Sequence, residues 1–164
     1  MKIIIGLGNP SENYKNNRHN VGHQLIEFLT NPQLVNSLIN NKEFKLYKAD
    51  TFMNQSGLFV KKILDKHQNI PLENVYIVHD DLDIPLGKFK IDHATGPKLH
   101  NGIKSIEETL KTKDFWRIRI GVDNRKKENW IEGERYVLSN FTLEEKEIVE
   151  KVFDEIQQSL ISNF

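Results

Sequence analysis

The chain has 164 residues, 38% of them hydrophobic, with 23 Lys/Arg against 23 Asp/Glu and no cysteine. That length suits a single domain spanning 1–164 with one core, and the lack of cysteine excludes disulfides and thiolate chemistry and fits a reducing compartment. Met1-Lys2-Ile3-Ile4-Ile5-Gly6 is too short for a signal peptide and reads as a strand, and no apolar run approaches the roughly 18 residues of a membrane span, so a soluble, cytoplasmic protein with no membrane partner is expected. Charge is balanced overall but uneven: residues 88–127 carry eleven Lys/Arg against five Asp/Glu, and residues 128–164 carry three against nine. A basic block on a neutral chain reads equally as a phosphate-contacting face or as ordinary solvated surface.

In chain order, Ile3 to Leu7 is a buried-strand pattern that stops at glycine. Gly6-x-Gly8 is followed by Asn9-Pro10 and Ser11, which is not a dinucleotide fingerprint: the third glycine is missing and no helix opens at once. It reads as a tight turn at a strand's carboxyl end, with Pro10 biasing Asn9 toward an extended backbone. The Asn9 side chain offers a donor and an acceptor there. Ser11 to Asn17 is a polar loop with Tyr14 its one aromatic. Arg18-His19-Asn20 then precedes a helical stripe of Val21, Leu25, Phe28 and Leu29 that ends near Thr30, before Pro32. With an unperturbed pKa of about 6.5, His19 is placed to act as a general base or merely to satisfy a local backbone group.

Residues 33–43 suggest a short helix or connector, and Phe44 to Tyr47 a half-buried strand. Thr51-Phe52-Met53-Asn54-Gln55-Ser56-Gly57 leads into a helix predicted over Ser56 to His67, with Ser56 as its N-cap. Asn54 lies just ahead of that helix start, where the dipole and amide donors favour negative charge, although a capping role fits as well. Core packing is the plain reading for both Phe52 and Met53, and it is adopted for Phe52. Val75-Tyr76-Ile77-Val78 is a central-strand run ending in His79-Asp80-Asp81-Leu82-Asp83. Three gathered carboxylates suit either a magnesium site or a single Asp orienting a histidine; the cluster alone leaves both open. Gly87 to Ile91 alternates like an edge strand. His100-Asn101-Gly102 precedes an amphipathic helix through Ile103, Ile106 and Leu110. Trp116 to Val122 reads as a strand with Arg117 and Arg119 on one face and Ile118 and Ile120 on the other. Asn124 to Glu134 reads as a charged loop, and Thr142-x-x-Glu145 opens the last helix with capping-box spacing.

Alternating strands and helices predict an α/β fold: one domain, a twisted mixed and largely parallel sheet, helices on both faces. Ligands in such sheets lie at the carboxyl ends of the strands, so the turns at Asn9, Asp80 and Asn54 and the base candidate His19 belong to one rim.

The ordered motifs Gly6-Leu7-Gly8-Asn9-Pro10, Tyr14, Arg18-His19-Asn20-Val21-Gly22, Thr51 to Gly57, His79 to Asp83, His100 to Ile106, Arg117 to Gly121 and Tyr136 to Phe141 together resemble bacterial peptidyl-tRNA hydrolases over residues 1–141. The resemblance implies a cytoplasmic translation enzyme, active in ribosome rescue, that cleaves the ester joining a peptide to the tRNA 3′ end. It implies His19 as base, Asp80 as the acid orienting it, and Asn9 and Asn54 as groups holding substrate and catalytic atoms. Tyr14, Phe52, Met53, Asn54, His100 and Asn101 are implied as substrate contacts. Lys90 and Arg119 are implied as tRNA-phosphate contacts. Peptidyl-tRNA is the expected partner; no metal or other cofactor, and a monomeric state, are expected. Departures from the family pattern are Thr95-Gly96-Pro97-Lys98-Leu99 in place of a glycine-rich run, Lys48-Ala49-Asp50 in place of Lys-Pro, Gly121-Val122-Asp123-Asn124-Arg125 after the arginine strand, and a shorter chain. Two other readings stay open: an RNA-binding protein without turnover on the same fold, and a magnesium phosphohydrolase using Asp80, Asp81 and Asp83.

Overall fold

The computed structural model describes residues 1–33, 44–68 and 70–163. Within them, β1 (Lys2–Gly6), β2 (Phe44–Lys48), β3 (Val75–Pro85), β4 (Phe89–His93) and β5 (Trp116–Asp123) form one sheet in the order β2-β1-β3-β5-β4. All neighbours pair in parallel except β4, which runs antiparallel to β5 at the edge. The helices are α1 (Val21–Thr30), α2 (Ser56–Lys66), α3 (Asn101–Leu110), α4 (Gly133–Val137) and α5 (Leu143–Asn163). This is the predicted mixed, largely parallel α/β sheet.

Side-chain alternation explains the layering. Tyr76 and Val78 of β3 and Ile118 and Ile120 of β5 meet Leu25 of α1 and Phe153 of α5 on one face. Ile3, Ile5 and Ile77 meet Val60 of α2 and Ile106 of α3 on the other. With both faces covered, Ile3–Ile5 and Val75–Val78 are apolar on both sides. Each fully buried Ile or Phe contributes about 1.5–3 kcal/mol relative to exposure. The close seat of α1 on the sheet requires glycine: a Cβ on Gly22 would lie 2.5 Å from the Leu7 carbonyl oxygen, and one on Gly6 would lie 2.2 Å from that of Gly22. This contact brings the residues just before α1, His19 among them, close to the end of β1.

The expected capping box is present at α5: the Glu145 amide donates to Thr142 Oγ1 (3.2 Å) and the Thr142 amide to Glu145 Oε1 (2.9 Å). Three local readings are corrected. β3 does not end at Val78; it continues through the acidic stretch to Pro85, with Asp80 paired to Ile120 and Asp81 to Gly121. Strand pairing with β5 outweighs the low β propensity of aspartate there. Ser56 is not the N-cap of α2; a 3-10 turn over Met53–Gln55 puts Gln55 at that position, and Ser56 Oγ donates to the Met53 carbonyl at 2.7 Å. The charged segment after β5 holds a 3-10 turn at Lys127–Asn129 and then α4. A five-residue helix is too short to show periodicity, and a tertiary contact fixes it: the Tyr136 hydroxyl donates to the Val122 carbonyl and accepts from the Asn124 amide, both at 2.9 Å. The helix or connector expected over 33–43 lies, from residue 34 on, outside the described residues.

Candidate active site

A groove of about 950 Å³ opens where the carboxyl ends of β1 and β3 meet the starts of α2, α3 and α4; Asn9, His19, Met53, Asp80, His100 and Asn101 line it. Asp80 is its hub. His19 Nδ1 lies 2.8 Å from Oδ1 and 2.9 Å from Oδ2 of Asp80, and His100 Nε2 lies 2.8 Å from Oδ1. His100 sits at the N-cap of α3, and its Nδ1 accepts from the Gly102 and Ile103 amides (3.1 and 3.3 Å). That fixes its tautomer with the proton on Nε2, donated to Asp80. The same bond logic puts the His19 proton on Nδ1. Its Nε2 has no partner among the described residues, in a side chain 12% exposed at the groove.

Electrostatics follow from this packing. Burial would raise the Asp80 carboxyl, but the His19 and His100 imidazoles hold it far below the usual carboxylate range. Burial would lower His19, but the Asp80 carboxylate outweighs it and the His19 pKa is raised. Beneath them, His79 is fully buried, packs edge-on to His100 at 4.9 Å and bonds the Asp80 carbonyl at 2.7 Å. Burial, reinforced by neighbouring His100, pushes its pKa down to about 3, so it is a neutral structural wedge.

The asparagines divide into a fixed one and two presented ones. Asn9 is buried, its Oδ1 accepts from the Met53 amide (2.8 Å), and its backbone is clasped by Asn20, which accepts from its N–H and donates to its carbonyl, both at 2.9 Å. With Oδ1 committed, the Asn9 Nδ2 remains as its donor. Asn54, in the turn before α2, and Asn101, the first residue of α3, are exposed along the groove and have no side-chain partner among the described residues. Phe52 is 51% exposed and lines the groove, which corrects its reading as a core residue; Met53 is buried and still forms part of the wall. Tyr14 does not line the groove but buttresses Phe52 edge-on, at 6.4 Å between ring centroids.

The basic pair lies apart from the groove. Lys90 is exposed on β4, directly across from Arg119 on β5. Arg119 is buried: Nε donates to Asp81 Oδ2 and Nη1 to Asp92 Oδ2, each at 2.8 Å. Gly96, at φ 63°, rests on the guanidinium, where a Cβ would come within 2.5 Å of Cζ. Arg119 therefore fastens β3, β4 and the 94–99 loop together. The acidic cluster is likewise dispersed: Asp80 meets two imidazoles, Asp81 meets Arg119, and Asp83 accepts from the Lys98 amide at 3.0 Å. The three carboxylates do not converge as magnesium ligands require.

Two features were not read from the sequence. One is the second imidazole on Asp80, which only the approach of α3 to β3 creates. The other is the Arg18 anchor: Arg18 donates to Glu145 Oε1 and Ser139 Oγ (2.6 Å each) and to the Asn140 carbonyl (2.9 Å), tying the residue beside His19 to the start of α5. The spacing of a buried-type Arg one residue from the base candidate was the available signal; its partner lies 127 residues away.

The family model for peptidyl-tRNA hydrolase matches residues 3–163. A peptidyl-tRNA hydrolase of Prochlorococcus marinus (strain MIT 9301) is 41% identical over 96% of this chain and 87% of its own length, and that of Fervidobacterium nodosum is 43% identical over 93% and 83%. The crystal structure of peptidyl-tRNA hydrolase from Acinetobacter baumannii superimposes with a TM-score of 0.75 at 27% identity, covering 94% of this chain and 83% of that one. Matched nearly end to end by the model, the relatives and the fold, the chain belongs to the peptidyl-tRNA hydrolase family of enzymes.

Proposed function

We propose that this groove hydrolyses the ester between the peptide and the 3′ ribose of tRNA, with His19 as general base. The observation that carries the reading is the His19–Asp80 pair: Nδ1 is committed to the carboxylate and Nε2, at the groove, has no partner among the described residues. Nε2 takes a proton from a water molecule as that water attacks the ester carbonyl. Asp80 keeps the tautomer and stabilises the imidazolium that forms. Collapse of the tetrahedral intermediate expels the 3′ ribose oxygen, which receives the proton back from His19. The amide donors of Asn54, Asn101 and Asn9 lie on the same groove and supply hydrogen bonds to the developing oxyanion and to the substrate; losing one such donor typically costs about 10²–10³ in rate. Phe52, Met53 and His100 form the walls against which the substrate packs, with Tyr14 behind Phe52. Lys90 is the phosphate contact of the tRNA body, and Arg119 serves it by fixing the strand opposite. As written, the chemistry uses no metal and no covalent nucleophile.

The test is turnover of peptidyl-tRNA with and without EDTA. His19→Ala is expected to lower kcat by at least about 10²-fold while tRNA binding persists, and chelator is expected to leave the rate unchanged. Near-normal hydrolysis by His19→Ala would falsify the assignment, and loss of activity with EDTA would return the magnesium reading. The reading as an RNA-binding protein without turnover is disfavoured because binding alone does not require an imidazole oriented by a buried carboxylate.

A further inference from the structure

We propose that Trp130 is a stacking platform for an unpaired base of the tRNA 3′ strand; the proposal rests on the substrate assigned above and adds a contact to it. The carrying observation is a continuous chain of guanidinium–ring contacts that starts beside His19 and ends in solvent. The Arg18 guanidinium lies 4.1 Å from the centre of the Tyr136 ring, on which the Arg125 guanidinium also lies, at 5.3 Å. Arg125 in turn lies 4.2 Å from the centre of the Trp130 ring. Every inner member is held in place. Arg18 is bound to Glu145 and Ser139, Tyr136 by its hydroxyl to the Val122 carbonyl. Arg125 donates to both oxygens of Asp123 (2.8 and 3.3 Å) and to the Ile131 carbonyl (3.2 Å). Trp130 is 62% exposed, so the stack ends on an open aromatic surface.

An indole seated against a fixed guanidinium offers a preorganised surface to another flat π system, and base–aromatic stacking is tolerant of sequence because every base has such a face. The position suits the 3′ strand. Glu132, two residues on, lines the groove, and in this proposal the unpaired nucleotides next to the ester run past it. Lys126 and Lys127 are exposed beside Trp130 with no ion-pair partner among the described residues, available to the phosphates between those nucleotides. Glu128, Glu132 and Glu134 leave the segment close to neutral, so stacking rather than net charge carries the contact. An apolar peptide is the other possible occupant of an exposed indole. Flanking lysines and a cation already on the ring favour the nucleotide.

The chain has two tryptophans; Trp116 is half-buried, stacked on Tyr76 (5.8 Å, 9° between planes) against the core, so Trp130 is the more accessible fluorophore and Trp130→Phe isolates its share of the emission. The experiment titrates the full chain with a single-stranded trinucleotide of the tRNA 3′ sequence, and separately with an apolar N-acetylated tripeptide, following tryptophan emission. In parallel, KM for peptidyl-tRNA is measured in Trp130→Phe and Trp130→Ala. The trinucleotide is expected to quench the wild type and not Trp130→Phe. Trp130→Ala is expected to raise KM about tenfold, with Trp130→Phe between the two, because phenylalanine keeps a smaller stacking face. Equal quenching of Trp130→Phe, an unchanged KM in Trp130→Ala, or quenching by the tripeptide alone would each overturn the proposal. If the wild type failed to turn over peptidyl-tRNA, the assigned reaction would fall, and the trinucleotide titration would still decide the stacking surface.

Discussion

In the proposed reaction the His19 imidazole must be neutral to take a proton from water, and Asp80 makes that harder. Burial lowers the His19 pKa, the Asp80 carboxylate raises it, and the carboxylate wins. The base is therefore lost as pH falls through a value above the ordinary 6.5, and the acid limb of kcat/KM is expected there. Asp80→Asn removes the opposing charge, so burial alone acts on His19. The limb is expected to move below pH 6.5 while kcat falls by about 10²–10⁴, because the tautomer is no longer enforced. A pH–rate profile of the two proteins checks this; an unmoved limb would mean that another group titrates. The stability consequence has the opposite sign for each partner. Asp80, depressed in the fold, stabilises above its unfolded value of 3.8, and that contribution is lost as pH falls through its depressed value. His19, raised in the fold, stabilises below 6.5, and that contribution is lost as pH rises through its raised value.

Elements hold these side chains through contacts far apart in sequence. The turn carrying His19 is gripped on one side by Gly22 against Leu7 and on the other by Arg18 in the start of α5. Arg18 and Glu145 are 8% and 5% exposed, so their ion pair is not screened by solvent. Glu145→Ala leaves a buried guanidinium without its carboxylate and removes the capping box of α5; a loss of about 3–5 kcal/mol is expected in denaturant unfolding. Glu145→Gln keeps the shape and is expected to lose less. Gly22→Ala would force a methyl to within 2.5 Å of the Leu7 carbonyl, and about 1–3 kcal/mol of destabilisation is expected from such overpacking. In both cases the resulting shift of His19 is expected to lower kcat more than it raises KM.

At the scale of the molecule, the sheet places the proposed reacting groups and Lys90 in different regions. The groove gathers groups from β1, β3 and the starts of three helices, while Lys90 stands on the edge strand β4. No helix among the described residues is long and apolar enough to cross a membrane. Lys90→Ala is expected to weaken tRNA binding uniformly and to reduce the slope of log K against log salt by about one, as for one lost phosphate contact. Arg119→Gln is expected to act differently: by releasing Asp81 and Asp92 it should lower stability first. An unchanged salt slope in Lys90→Ala would mark the edge as ordinary surface. Sedimentation at micromolar concentration is expected to give a monomer.

Local sequence determined the strands, because Ile3–Ile5 and Val75–Val78 are too apolar to lie anywhere but in a covered sheet and Trp116–Val122 alternates, with Ile118 and Ile120 on one face and Arg117 and Arg119 on the other, and it determined α1, α2, α3 and α5 through their stripes and the Thr142–Glu145 cap. It also showed the ordered motifs around Asn9, His19, Asn54, Asp80 and Asn101, since turns after strands are punctuated by glycine, proline and asparagine. What tertiary structure alone decided is where each charge is satisfied. Nothing local says that Asp80 would take two imidazoles while neighbouring Asp81 took Arg119, because alternation along β3 sends them to opposite faces and the partners arrive from other strands and helices. Nor does it say that Arg119 is enclosed while Lys90 is exposed, or that Phe52 faces the groove rather than the core. A side chain's type fixes what bond it needs; only the packing of distant segments fixes which group supplies it.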